Sequence, residues 1–223
     1  MNVEVRCRPA YAMAYCRLDY QERVFVEREA MAAMSDHVHV AATTGGTGVA
    51  RALFRQATVG EGALFSAYTA EVQDAWVALC PRTPGDIATV MIEPDDCLVV
   101  QAGSLLAYGE GVQPHVRYGG LRGILMREGL LFIKMSGSGI AVLSAYGGIE
   151  RLELADGESL IVDTGHLVAF SDTMDYEVGP LGSIATSALT GEGLVSRFTG
   201  PGVVLIQTRA EAQLRSWLSP DRK

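Results

Sequence analysis

Between residues 160 and 170 the chain reads "LIVDTGHLVAF", in which two apolar runs flank a short polar turn. The same rhythm stands at 98, "LVVQAGSLLAY", and more loosely at 24, "VFVEREAMAAM". Leu160, Leu98 and Val24 fall together, as do Val162, Val100 and Val26, and then Leu167, Leu105 and Met31. A small position follows in Ala169, Ala107 and Ala33, and a bulky one in Phe170, Tyr108 and Met34. Short apolar runs around a turn, rich in β-branched residues and without 3.6-residue spacing, predict strand, turn, strand. The second run is apolar on both faces, which predicts a strand buried on both sides or packed sheet on sheet.

The likeness extends beyond the turn. Each copy opens on an acidic turn, "LDYQER", "IEPDDC" and "LADGES", and closes on a glutamate-glycine turn leading into another apolar run. Those later phrases are "GEGALFSAYT" at 60, "REGLLFIKMSGSG" at 127 and "GEGLVSRFTGPG" at 191, so Glu61, Glu128 and Glu192 correspond. The pattern divides one domain, 1–223, into repeats at about 18–92, 93–154 and 155–218, with no low-complexity linker between them. The expected class is all-β: three homologous strand repeats, roughly a dozen or more strands, in a compact sandwich- or barrel-like body. Helical turns are expected within "TGGTGVARALFRQATVGEG" and "YGGLRGILMREG". Near the C-terminus "RAEAQLRSWL" predicts a short helix that docks through Leu214, Trp217 and Leu218.

Composition supports this picture and narrows the partners. The chain is 48% hydrophobic with 25 glycines, enough for a real core and many turns. A net charge of −8 repels polyanions, and only two of the 18 basic residues are lysines, Lys134 and Lys223. No basic stripe tracks phosphates, so nucleic acid is not an expected partner. Cys7, Cys16, Cys80 and Cys97 form no Cys-x-x-Cys pair and are expected to be free thiols that pack as small hydrophobes. The first residues read as a strand rather than a leader, and the longest apolar stretch is broken by Lys134 and glycines. A cytoplasmic protein without a membrane span is expected, peripheral membrane association staying open.

Several residues invite a chemical reading. Asp163-Thr164-Gly165 matches the tripeptide of aspartic proteases, which need two such loops so that two carboxylates share a proton. The sister turns offer Glu27-Arg28-Glu29 and Gln101-Ala102-Gly103, so only a dimer could supply the pair. The plainer expectation is a turn, with Gly165 and Gly103 at positive φ and Asp163 making a local side-chain bond. His37 and His39 sit two apart, which on a strand places both on one face; with Asp36, and His115 or His166 brought over, they would form a metal site. Glu61, Glu128 and Glu192 could serve acid–base chemistry, although their repetition suits turns better. Gly45-Gly46 and Gly119-Gly120 could hold an anion, but neither is followed by the lysine of a phosphate loop. No catalytic, cofactor-binding or metal residue is assigned on this basis, and no cofactor is expected.

The phrases "YGGLRGILMREGLLFIKMSGSG", "SAYGGIERLEL", "ESLIVDTGHLVAFSDTMDYEV" and "GEGLVSRFTGPGVVLIQTR" resemble the altered-inheritance-of-mitochondria 24 family, including its bacterial members of unknown function. The likeness runs from "RPAYAMAYCRLDY" to "SWL". It implies an all-β fold similar to the tryptophan RNA-binding attenuation protein, with trimeric assembly. Fold does not carry function, and the negative charge argues against transferring RNA binding. The leading expectation is a non-enzymatic, self-associating scaffold or binding protein, a homo-oligomer (trimer or a multiple) with an unidentified protein partner. The alternatives are a metal-dependent enzyme using His37 and His39, or a dimeric aspartic protease through Asp163. The first copy departs most, its "EREAMAAM" lacking the glycine of the other two, and any specialised surface is expected there.

Overall fold

The computed structural model describes residues 1–42, 65–118, 131–181 and 194–218. The expected all-β class is observed: the strands lie in antiparallel sheets, and the described residues include one short α-helix. Among the described residues no sheet closes into a barrel; the apolar faces are covered by stacking sheet on sheet.

Strand β1 (Asn2–Arg6) is followed by β2 (Met13–Leu18), β3 (Arg23–Glu27), β4 (Met31–Met34), β5 (Val38–Ala42), β6 (Phe65–Ala70) and β7 (Ala75–Leu79). Next come β8 (Ile87–Ile92), β9 (Leu98–Gln101), β10 (Leu105–Gly109), β11 (Val112–Tyr118), β12 (Leu131–Gly137) and β13 (Gly139–Ser144). The last group is β14 (Ile149–Leu154), β15 (Ser159–Asp163), β16 (Leu167–Ser171), β17 (Asp175–Pro180), β18 (Leu194–Thr199) and β19 (Gly202–Gln207). Short 3-10 turns at Ala102–Ser104 and Thr164–His166 join β9 to β10 and β15 to β16.

Among the described residues four sheets result, in the orders β1-β2-β7-β4, β5-β6-β3-β10-β13-β8, β11-β12-β9-β16-β19-β14 and β15-β18-β17. The same pairing recurs along the chain. Three strands of β2–β7 join three of β8–β13 in the second sheet, through antiparallel β3 and β10. Three more of β8–β13 join three of β14–β19 in the third, through β9 and β16. We call these two junctions seams. The bulge between Leu105 and Ala107 in β10 recurs between Leu167 and Ala169 in β16 and between Met31 and Ala33 in β4.

Alternation along the strands explains how three cores fit between four sheets. In β3, Val24 and Val26 face the core shared by the first two sheets, while Phe25 turns to the core between the second and third. In β9, Val100 faces that middle core and Val99 the one beyond, where Phe132, Phe170 and Phe198 gather. Seam strands are therefore apolar on both faces, and β10 and β16 are buried almost throughout. Turns close tightly where glycine permits: between β12 and β13, Gly137 adopts φ 93° and a Cβ there would collide with the Gly111 carbonyl at 2.3 Å.

The helix departs from expectation. Helix α1 (Glu211–Leu218) forms, yet none of its residues is buried; Leu214 is half-buried, Trp217 is 76% exposed and Leu218 63%. The body's last buried anchor is Ala210, against Gly165, and the eight-residue helix leaves from there without laying its apolar stripe on a sheet.

Candidate functional site

The 3-10 turn after β15 decides the meaning of Asp163-Thr164-Gly165. The Asp163 carboxylate accepts a hydrogen bond from the Gly165 N–H at 2.7 Å, capping the turn as expected. Neither Gly165 nor Gly103 adopts positive φ; both sit inside 3-10 turns, whose φ is negative. Space at Gly165 is tight, since a Cβ would lie 3.2 Å from the Ala210 methyl and 3.1 Å from Asp163 Oδ1.

Buried Gln207, at the end of β19, fastens this turn to its neighbours. Its amide donates to the Gly165 carbonyl at 2.8 Å and accepts from the Tyr146 N–H at 2.8 Å, while its own carbonyl lies 2.8 Å from His166 Nδ1. His166 is thus tied to backbone, away from His37 and His39. His37 sits in the turn before β5, 3.6 Å from the Asp36 carboxylate, and His39 lies exposed on β5 opposite Thr69. His115 is exposed on β11 opposite Lys134. Among the described residues no three histidine, cysteine, aspartate or glutamate side chains gather in a metal-binding group. Glu61, Glu128, Glu192, Gly45-Gly46, Gly119-Gly120 and the two expected helical turns lie outside the described residues. Of the four free cysteines, only Cys16 packs as a fully buried hydrophobe, its thiol pushed up to about 12 by burial, while Cys7 is exposed.

Sequence reading missed a pair of buried carboxylates in the first turn region. Glu27, at the end of β3, is buried and pairs with the exposed Arg82 guanidinium. Burial pushes its carboxyl above the ordinary range, Arg82 opposes this, and Glu211 and Glu29 reinforce it. Buried Asp86 accepts both Arg8 Nε and Nη2 at 2.8 Å, and also the Ile87 N–H at 2.8 Å. The connection "PRTPGD" carries Arg82 back to Glu27 and sets Asp86 beside Arg8.

The largest anomaly is steric. Strand β4 has the sequence position and the bulge of the seam strands β10 and β16, but among the described residues it pairs only with β7. Leu105 and Leu167 are fully buried, whereas Met31 in β4 is 38% exposed and Ala32 and Ala33 are exposed. Burial of the second run on both sides is therefore not seen in the first copy, where no second described strand lies beside β4, although Met34 still packs sheet on sheet against the first core. Strand β15 is the complementary case: it pairs only with β18 among the described residues, and Ile161 is 48% exposed where Val99 in β9 is fully buried.

Residues 3–209 match the family described as mitochondrial biogenesis AIM24. The chain belongs to the AIM24 family. An uncharacterized protein from Streptococcus pyogenes serotype M6, M6_Spy0233, is 28% identical over 136 residues, covering 60% of this chain. The match spans 54% of that relative, about half its length. The crystal structure of protein SPYM3_0169 from Streptococcus pyogenes superposes with a TM-score of 0.82 at 24% identity over 98% of both chains, a likeness of fold. Among the described residues of this AIM24 protein, no helix is long and apolar enough to cross a membrane.

Proposed function

We propose that this AIM24 protein is a non-enzymatic scaffold or binding protein that works as a self-associated assembly. The reading is carried by one observation: β4 and β15 are built like strands of a sheet interior yet, among the described residues, end their sheets as apolar edges. Uncovered edges of this kind template pairing with further chain. Closed homo-oligomers are the usual outcome of self-association, and a trimer or a multiple of it is the expected state. A net charge of −8 favours protein over nucleic acid as a further partner.

Native mass spectrometry of protein purified without a metal-chelating tag tests the reading. A trimer or a multiple, without stoichiometric metal or small molecule, is expected. A species of 23.8 kDa persisting at micromolar concentration overturns self-association. A reproducible bound metal instead returns attention to His37 and His39.

A further inference from the structure

Resting on that self-association, we infer that the occupant of the β4 edge is β15 of a second copy of this chain, added antiparallel in the register of the internal seams. The template is present twice. In one seam Ala107 faces Val26, Tyr108 faces Phe25 and Gly109 faces Val24. In the other Ala169 faces Val100, Phe170 faces Val99 and Ser171 faces Leu98. Transferring the register sets Ala33 against Val162, Met34 against Ile161 and Ser35 against Leu160 of the neighbouring copy.

Three features of the chain fit this junction. The bulge that β10 and β16 form against β13 and β19, on the side away from their seams, is already formed by β4 against β7, so the three strands share one shape. The facing residues are apolar and follow the internal pattern: Phe25 and Tyr108 stack across the first seam at 4.9 Å, and Ile161 and Met34 would meet at the equivalent place. The two edges also lack the usual guards against pairing. Strands β1, β14 and β17, which end sheets elsewhere, carry charged residues such as Glu4, Arg151 and Glu177, and the edge strand β11 carries Pro114. Strands β5 and β8, which end the second sheet, carry no carboxylate, lysine, arginine or proline, so it is the seam register and not the missing guard that singles out β4 and β15. Strand β4 is Met-Ala-Ala-Met, and β15 is uncharged until Asp163.

The contact is head to tail, since one copy offers β4 and its neighbour offers β15. Each chain supplies both, so a closed ring leaves neither edge bare, and sheets of the first and fourth kinds merge into one continuous sheet per junction.

Disulfide trapping decides it, in a background where Cys7, Cys80 and Cys97 are serine. Met34→Cys and Ile161→Cys are made in separate chains and mixed under mild oxidation. Antiparallel neighbours at this position lie within disulfide reach. The expected result is a covalent two-chain species from the mixture and none from either variant alone. In the double variant, disulfides should link successive chains. A disulfide within a single chain of the double variant overturns the inference, because the two edges would then meet in one molecule. No cross-link while native mass spectrometry still finds the oligomer also overturns it and leaves self-association standing; a monomer removes both. A second variant, Ile161→Lys, changes an exposed side chain and should fold, and it should shift the assembly to single chains. An intact assembly with Ile161→Lys counts against the β15 edge.

Discussion

The turn after β3 and the turn after β15 begin from aligned sequence and end differently. In the latter, Asp163 caps a 3-10 turn, Gln207 binds it to two neighbouring backbones, and β16 runs into a seam buried on both faces. In the former, the glycine is absent, Glu27 takes the place of Asp163 in a buried pair with Arg82, and β4 lies open. What separates the two is neighbours. A strand of the same shape is interior where β9 pairs with it and surface where no described strand does. Burial here belongs to the pairing, and hydrophobicity alone does not decide it.

The comparison can be broken most directly by truncating the aligned leucine and methionine. Leu167→Ala should cost about 2–5 kcal/mol in urea unfolding, because it empties a closed core. Met31→Ala should cost about 0.5 kcal/mol or less in dilute protein, and more as concentration brings copies together. Equal costs at every concentration would mean that β4 is covered within one chain. The polar fastening comes next. Gln207→Ala strands the Gly165 carbonyl and the Tyr146 N–H and should cost about 2 kcal/mol by thermal or urea melting, against about 1 kcal/mol for Arg82→Ala, whose guanidinium is largely solvated. Asp163→Ala should lose about 1 kcal/mol with the cap, and Asp163→Asn, which keeps an acceptor, should stay near the parent in the same melts.

The smallest effect is one of pH. Glu27 has its carboxyl raised in the folded state, so the native chain holds that proton to higher pH than the unfolded chain does. Its contribution is therefore most favourable below the ordinary carboxylate range and is lost as pH rises through the raised value. Glu27→Gln should stay within about 1 kcal/mol of the parent near neutrality and flatten that decline, as urea midpoints measured across the acidic range will read. An unchanged slope would place the titration elsewhere.

Much of this was legible in the chain. The aligned apolar positions located the strands around each turn, because alternation and β-branching are local signals. The local bond of Asp163 followed from the residue type and the turn. The 3-10 conformation of Gly165 did not, nor did the Ala210 methyl that crowds it from more than forty residues away. The exposure of β4 was equally hidden, because its sequence matches that of strands whose neighbours arrive from distant parts of the chain. The buried partners of Glu27 and Asp86 were missed for the same reason, their arginines lying far from them in sequence. The helix was found from its residues, but its docking depended on a surface that α1 does not reach.

The second and third sheets are each half one strand group and half the next. Such sharing works like the overlapping courses of a brick wall. A protease cut between β7 and β8, or between β13 and β14, would not release a self-sufficient block, because each piece would carry away half a sheet and expose a fresh apolar flank. The chain should therefore resist trimming into smaller folded parts, and a shortened descendant would have to recruit the missing half from another molecule.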